Sequence, residues 1–299
     1  MRSRGFRQVD VFTGVPFLGN PVAVVLEGDG LSDVEMAAFA RWTNLSETTF
    51  VLPPTDPRAD YRLRIFTPSG ELPFAGHPTL GSCHAWLTAG ATPRSRDRIV
   101  QECGAGLIEV RRDGSRLAFA APPRVRQGPL DAALLGRIAA GLGIDRAAIA
   151  AHAWVDNGPG WCAVELGAAD EVLALRPDWS VLGDTKLGVV GAYGSGDHGR
   201  GDPTAGRGPG GAAFEVRAFF PAAPDADGVV SAGFEDPVTG SLNASIAQWL
   251  REEGRAPARY VASQGAALRR AGRVHVQDDG DRIWVGGDCV ACIAGVVAI

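Results

Sequence analysis

The sequence lacks the features that mark several common classes of protein. It has only 5 cysteines in 299 residues, an odd number, and Cys289 and Cys292 are the one pair with CxxC spacing. No second CxxC pair or histidine cluster completes a zinc site, and this pair lies in an apolar stretch that we predict to be a buried strand. No apolar run approaches the ~20 residues that a membrane-spanning helix needs. We therefore expect structural thiols, no metal and no membrane span.

Charge and motif content exclude further classes. The formal net charge of −5 gives no electrostatic case for binding nucleic acid or an anionic membrane. The chain has no GxSxG, P-loop or HExxH motif, and a formal GxGxxG at 194–199 has no helix after it to bind a pyrophosphate. The first residues enter a strand pattern without the pattern of a signal peptide. We expect a soluble, cytoplasmic protein that uses no cofactor.

What the sequence does have is an internal duplication. One copy runs from Tyr61 to Leu87 and the other, with a longer loop, from Phe214 to Leu250. Each opens with apolar residues at alternate positions, as in a half-buried strand, and then crosses a loop that contains proline and glycine. Each continues with apolar residues at helical spacing and then a glycine, Gly90 or Gly254, that suits the C′ position. The sequence therefore predicts two similar strand–loop–helix units.

The start of each predicted helix is the most informative part of each copy. We place His77 at the N-cap of the first helix with Pro78 at N1, and Thr239, Gly240 or Ser241 at the matching position of the second. Helix N-termini present unpaired N–H groups and a partial positive charge, so they attract anions. Two interpretations are open. The caps are only structural, or the two helix starts face each other and bind a small carboxylate.

Length and composition allow two domains. The chain of 299 residues, with 45% hydrophobic and 21% charged residues, is long enough for two cores of ordinary globular composition. The prolines of 122–123, followed by Gln127-Gly128, form the best linker candidate. We predict an N-terminal domain of residues 1–126, joined by the last strand at 288–299, and a C-terminal domain of 127–287. The glycine-rich stretch 194–213 is interpreted as a mobile surface loop.

Local patterns predict further elements. A helix is expected over 31–44, beginning after Leu31 or Ser32, because an acidic first turn and apolar residues at helical spacing follow. Residues 97–123 alternate in the manner of a three-strand meander, with turns at 104–106 and 113–114.

Two carboxylates are candidates for chemistry. Glu47 stands at the entrance of a strongly apolar strand, where burial would favour the protonated form and suit proton transfer. Asp236 comes just before the second helix start. Each has a plain alternative, since Glu47 could be an exposed connector and Asp236 a turn-forming residue. His77, taken alone, could equally be a satisfied structural histidine.

Five segments, in the same order, resemble the phenazine-biosynthesis PhzF-like proteins: DVFTGVPFLGNPVAVV, NLSETTFVLP, FAGHPTLGS, FEDPVTGS and SQGAALRRAGRVHV. The resemblance runs from Asp10 to about Val276, and the glycine-rich stretch is its main departure. It implies an α/β (α+β) fold of the diaminopimelate-epimerase type. In that fold two pseudo-symmetric domains, each a mostly antiparallel sheet wrapped around a central helix, hold the active site in the cleft between them. A homodimer is also implied.

The resemblance assigns roles to particular residues. Glu47 matches the single general acid/base of the family, with His77 and Asp236 as the other catalytic residues. The substrate-binding positions are Asn20, Gly76, Gly240 and Ser241. True diaminopimelate epimerases carry a cysteine at the start of each central helix. This chain has none there, and its nearest thiol, Cys83, lies farther along the first helix.

The expected activity is therefore cofactor-independent isomerisation of a small carboxylate by one-base proton transfer. The alternatives are an epimerase, racemase or lyase that begins with the same deprotonation, and a homologue that binds small molecules without turning them over. A phenazine precursor is the family's known substrate. The sequence does not name the substrate of this chain, since one fold and one set of acid/base residues can serve different substrates.

Overall fold

The structure, a computed structural model, describes residues 2–194, 208–221 and 233–299. The chain divides into two compact units: the first is Met1–Ala120 with Gly286–Ile299, and the second is Ala121–Val285. The domain limits predicted from sequence differ from these units at 121–126 and 286–287. The formal GxGxxG motif from its second residue onward, and most of the glycine-rich stretch, lie outside the described residues.

The first unit surrounds a buried helix, α2, with strands. Its elements in chain order are β1 (Ser3–Val11), β2 (Asn20–Val25), α1 (Asp33–Thr43), β3 (Thr48–Leu52), β4 (Tyr61–Thr67), β5 (Gly70–Leu72), α2 (Gly76–Thr88), β6 (Arg98–Cys103), β7 (Gly106–Asp113) and β8 (Arg116–Ala120).

The second unit follows in the chain and surrounds helix α6. Its elements are β9 (Arg126–Gly128), α3 (Ala132–Leu142), β10 (Ile149–Asp156), β11 (Cys162–Leu166), α4 (Ala169–Ala174), α5 (Trp179–Leu182), β12 (Leu187–Ala192), β13 (Phe214–Phe220), β14 (Phe234–Asp236), α6 (Gly240–Glu252), β15 (Arg259–Gln264) and β16 (Gly272–Asp278). Short 3-10 turns occupy Arg146–Ala148, Pro209–Gly211 and Ala266–Leu268. The chain passes back into the first unit along β17 (Ile283–Gly287) and ends in β18 (Cys289–Ala298).

The strand pairings of the two units match step by step. In the first unit β18, β1 and β2 pair antiparallel, β2 and β3 parallel, β3 and β4 antiparallel, and β4 then pairs antiparallel with β5 and parallel with β6. The second unit repeats these pairing directions in the same order, along β9, β10, β11, β12, β13, β14 and β15. The duplication predicted from one strand–loop–helix stretch therefore extends over the whole unit.

A pair of salt bridges repeats with the strands. Arg64 on β4 makes a two-bond contact with Glu71 on β5, at 2.7 and 2.6 Å. Arg217 on β13 makes the same contact with Glu235 on β14, at 2.9 and 2.7 Å. In both units the guanidinium also lies 5.0 Å from the ring of the phenylalanine two residues later. Each salt bridge connects the two strands of the hairpin that precedes the buried helix of its unit.

Helices α2 and α6 are the buried helices of their units, and each is 13 residues long. Helix α2 contacts β1, β2, β3, β4, β8 and β18, and α6 contacts β10 and β16. The predicted C′ glycines are confirmed, because Gly90 and Gly254 follow the helices with φ of 96° and 68°. Gly81 brings α2 close to β2, since an added Cβ there would lie 2.4 Å from Val22 Cγ1.

The predicted N-cap of the first helix was wrong. Ala75 is the N-cap, so His77 and Pro78 are the second and third helical residues. The proline did not fix the position, because the N–H groups of the whole first turn lack intrahelical partners and a proline is tolerated throughout that turn. Thr239 is the N-cap of α6. Neither cap residue donates or accepts a side-chain capping bond.

The strand that contains the CxxC pair was predicted to be buried, and this was wrong for much of its length. β18 pairs with β1 along its full length, yet Ile293 and Val296 are 50% and 72% exposed. An apolar run does not by itself show that both faces of a strand are covered. Within the part of the chain that the structure describes, no helix is long and apolar enough to cross a membrane.

Candidate active site

Glu47 and His77 lie side by side in the first unit. His77 Nε2 is 3.2 Å from Glu47 Oε2, and the two side chains are only 7% and 14% exposed. Glu47 directly precedes β3, where its carbonyl accepts a hydrogen bond from the Ala23 N–H of β2 at 3.4 Å. His77 is in the first turn of α2, which Gly81 holds against β2. Two contacts with β2, one to the Ala23 backbone and one to the Val22 side chain, thus bring these distant side chains together.

His77 is a neutral imidazole in this environment. Burial lowers the pKa of His77 to about 3, and its ring hydrogen-bonds to the backbone of Pro21. That partner can only be the carbonyl oxygen, since proline has no N–H, so the ring nitrogen facing it donates. Nε2 has no hydrogen bond of normal geometry among the described residues, so Nδ1 is the donor to Pro21. Nε2 therefore presents its lone pair toward Glu47, and the contact is not an ion pair.

The burial of His77 predicts a pH-dependent stability. The pKa of about 3 in the folded state lies below the ordinary 6.5, so the unfolded chain binds a proton first as the pH falls. The contribution of a neutral His77 is complete above pH 6.5 and decreases as the pH falls toward 3. We expect the free energy of unfolding to fall by up to about 1.4 kcal/mol per pH unit in this window.

Urea unfolding at a series of pH values measures this effect, with His77→Asn as the matched variant. The asparagine amide can still donate to Pro21 but does not titrate. The wild-type protein should therefore lose stability more steeply than the variant between pH 6 and pH 4. Parallel curves would show that His77 is not protected from protonation in the folded state.

The other first-unit candidates lie on the same two elements. Asn20 is fully buried and is the first residue of β2, next to the Pro21 that binds His77. Gly76 is the first residue of α2 and is also buried. The four residues predicted for this unit therefore belong to the start of β2, the entrance of β3 and the start of α2.

The second-unit candidates gather at the start of α6. Asp236 ends β14, is 6% exposed, and accepts a hydrogen bond from the Thr239 hydroxyl at 2.5 Å. Gly240 is buried as the first residue of the helix. Ser241 Oγ accepts from the Trp161 indole N–H at 3.1 Å, and the Ser241 carbonyl accepts from the Asn157 amide at 2.9 Å. These bonds tie the helix start to the chain that enters β11.

A model of the family described as phenazine biosynthesis-like protein matches residues 9–295. This chain belongs to that family. It is 34% identical to the trans-2,3-dihydro-3-hydroxyanthranilate isomerase of Pseudomonas aeruginosa, over 91% of this chain and 89% of that protein. It is 35% identical to the protein named antisense-enhancing sequence 1 of Schizosaccharomyces pombe, over 99% of both chains.

A solved structure gives the same result for the fold. The crystal structure of a phenazine biosynthesis protein of the PhzF family from Enterococcus faecalis matches with a TM-score of 0.76 at 23% identity, covering 100% of both chains. The predicted fold class, an α/β fold of the epimerase type with two similar domains, is confirmed. The PhzF-like resemblance is confirmed as well, and the protein is a member of a family of isomerases.

Sequence reasoning missed three residues that build these sites in the PhzF-like chain. Pro21 supplies the carbonyl for His77, Trp161 binds Ser241, and Gln264 is a fully buried amide that hydrogen-bonds around Asp236 and Thr239. The segment with Gln264 was used only as part of the resemblance. A glutamine shortly after the apolar residues 260–262 was the available signal, because buried amides are nearly always hydrogen-bonded.

The thiol near the first helix start is in an environment that favours its protonated form. Cys83 is fully buried, and burial raises the pKa of its thiol to about 12. The thiolate is the reactive form, and it is scarce at neutral pH in such a place. Among the described residues, no three His, Cys, Asp or Glu side chains are grouped as metal ligands.

Proposed function

We propose that this protein is a cofactor-independent isomerase that moves a proton on a small, carboxylate-bearing substrate, with Glu47 as its single general acid/base. The observation that carries the proposal is the buried contact between Glu47 Oε2 and the lone pair of His77 Nε2, at 3.2 Å. A carboxylate placed there can take a proton from a carbon next to a carbonyl or imine-like group. The resulting O–H then has an acceptor in Nε2.

The proton can be returned without a second base. Because His77 is neutral and hard to protonate, it accepts a hydrogen bond from the Glu47 carboxyl without removing the proton. Glu47 can then deliver its proton, which exchanges with solvent while the carboxyl holds it, to another carbon on the same face of the substrate. The net change is a shift of one hydrogen and one double bond. Asp236 is proposed as the further catalytic residue, acting from the start of α6.

The helix starts support binding of an anionic group. The side chains of Ser32 and Asp131 cap α1 and α3, whereas α2 and α6 have no side-chain cap. Their first N–H groups and partial positive charge suit a carboxylate. We propose Gly76, Gly240 and Ser241 as substrate-binding residues on this basis, and Asn20 because it begins β2 beside the Pro21 that binds His77.

Two-thiol racemisation has little support in this chain. The helix starts carry Gly76-His77 and Gly240-Ser241, and the Cys83 thiol is buried with a raised pKa. A one-base isomerisation fits these residues better. Epimerisation, racemisation or elimination could begin with the same deprotonation, so the product must be identified.

Isotope exchange tests the proposal. Purified protein is incubated in D₂O with trans-2,3-dihydro-3-hydroxyanthranilate, the compound named for the relative from Pseudomonas aeruginosa, and with a panel of cyclic amino acids and hydroxy acids. NMR and mass spectrometry should show deuterium at carbon together with a rearranged double bond in one of them. Unchanged connectivity with inverted configuration would indicate an epimerase, and fragmentation a lyase. If neither exchange nor a changed compound were found in any of these incubations, that result would indicate a binding protein.

We also propose a cytoplasmic homodimer that binds neither nucleic acid nor membranes. Twofold dimers are the commonest homo-oligomers. The exposed apolar side chains Ile293 and Val296 of β18 support a subunit contact on the first unit. Light scattering decides the point, because a mass equal to the monomer's 31.2 kDa at all concentrations would contradict the dimer.

A further inference from the structure

We infer that Gln264 is a positioning residue that fixes the Asp236 carboxylate through the hydroxyl of Thr239. The inference rests on the proposed role of Asp236. Gln264 is the last residue of β15 and lies 28 residues from Asp236 in the chain. It is fully buried, and its amide uses both of its ends in hydrogen bonds around the start of α6.

The bonds of Gln264 define which end of its amide lies where. The Thr239 backbone N–H and the Asn243 amide Nδ2 both donate to Gln264 Oε1, at 3.0 and 2.8 Å. A backbone N–H can only donate, so the atom in front of it must be the oxygen. Gln264 Nε2 therefore lies on the other side, where it donates to the Asp236 carbonyl at 3.1 Å and to Thr239 Oγ1 at 3.0 Å.

This orientation determines the direction of the next hydrogen bond. Thr239 Oγ1 accepts a hydrogen bond from Gln264 Nε2, so its own hydrogen is free to point to Asp236 Oδ2 at 2.5 Å. These hydrogen bonds, from Gln264 to Thr239 and from Thr239 to Asp236, thus donate in one direction and hold the rotamer of the Asp236 carboxylate.

The duplication shows that the fold does not require this series of hydrogen bonds. In the first unit Gln101 is equally buried, donates to Thr79 Oγ1 at 3.0 Å and accepts from the Tyr61 hydroxyl at 3.1 Å. Leu72 is the residue of the first unit that corresponds to Asp236. Leu72 pairs with Ile65 of β4, and Asp236 pairs with Ala218, the equivalent residue of β13. The first unit therefore has a buried glutamine, at a register position two residues from that of Gln264, without a carboxylate to orient.

Thr239 offers the cleanest test, because valine has nearly the same shape and no hydroxyl. With trans-2,3-dihydro-3-hydroxyanthranilate as the probe, Thr239→Val should lower kcat by up to about 100-fold, the loss that a misplacement of about 1 Å can cause. KM should change little, because a misplaced catalytic carboxylate slows the chemical step more than it weakens binding. Thr239→Ser keeps the hydroxyl and should restore kcat. Thr239→Ala replaces the valine variant if that variant does not fold.

Gln264 is tested by Gln264→Glu, with Gln101→Glu as the matched control. A carboxylate at 264 accepts the hydrogen bond of the Thr239 hydroxyl and withdraws it from Asp236, so kcat should fall as it does in Thr239→Val. The same substitution at 101 places a carboxylate in an equally buried site, but the hydrogen bonds of that site do not lead to a catalytic carboxylate. Equal losses of kcat in the two glutamate variants would overturn the positioning role.

Crystal structures of Thr239→Val and Thr239→Ser make the result independent of the substrate. The Asp236 carboxylate should leave its present position in the valine variant and keep it in the serine variant. An unmoved carboxylate in both would overturn the inference. If Asp236→Asn keeps full turnover, the proposed catalytic role of Asp236 fails, and the displacement seen in the crystal still decides the positioning. If Asp236→Asn is inactive and Thr239→Val is fully active, only the positioning role fails.

Discussion

Glu47→Gln should lose nearly all turnover and nearly all exchange of substrate hydrogen with solvent, while its fold is retained. The glutamine amide has the reach of the glutamate and can donate to the lone pair of His77 Nε2, so the contact at 3.2 Å is preserved. What is lost is the ability to take a proton. General acid–base catalysis by a positioned group contributes about 10²–10⁴-fold, and we expect a sole base to be at the upper end.

The measurements are kcat, deuterium incorporation, melting temperature and the affinity for a substrate analogue. Glu27→Gln is the matched control, since Glu27 is an exposed carboxylate of the same unit, 54% exposed and 3.6 Å from Arg2. The control should keep its activity, and both variants should melt close to the wild type. Turnover of Glu47→Gln within a few-fold of wild type would mean that the base lies elsewhere, and the single-base mechanism would have to be abandoned.

Arg217→Leu should cause a large loss of stability. The Arg217 and Glu235 side chains are 4% and 6% exposed, and the guanidinium also donates to the carbonyls of Val172 and Leu175 at 3.1 and 2.9 Å. Leucine leaves the Glu235 carboxylate buried without its cation and removes one donor from each of the two carbonyls. Breaking a buried ion pair in this way costs about 3–5 kcal/mol.

The duplication supplies the control for this prediction. Arg64 makes the same two-bond contact with Glu71, but these side chains are 15% and 42% exposed, so water can solvate the glutamate that is left behind. Arg64→Leu should cost about 1 kcal/mol or less, as for exposed pairs. Urea unfolding of the two variants measures the difference. Similar losses in both would show that burial does not set the strength of these pairs.

Local sequence patterns correctly predicted the features that depend only on interactions between residues close together in the chain. Ser32 and Glu35 cap α1 through bonds between residues three apart, and the glycines after α2 and α6 adopt the left-handed conformation that ends a helix. The three-strand meander of β6, β7 and β8 also appears where its turns were predicted. Each of these features depends on neighbours in the chain, so the sequence could show it.

The position of His77 in its helix could not be predicted from the local sequence. Pro78 is compatible with any place in the first turn, so it could not distinguish an N-cap histidine from one inside the helix. The contact of α2 with β2 at Gly81 decides where the His77 ring lies, and burial there makes the ring neutral. The sequence named Glu47 and His77 as candidates, and their catalytic roles stay predictions.

By itself, the sequence determined the internal duplication, the family and the candidate residues, because these depend on order and spacing along the chain. Only the tertiary structure decided which polar atoms meet. The parallel pairing of β13 with β15 brings Gln264 to the start of α6, and close packing of α2 on β2 turns His77 Nε2 toward Glu47. Hydrogen bonds and burial act over distances of a few ångströms, and residues far apart in the chain reach such distances only when it is folded.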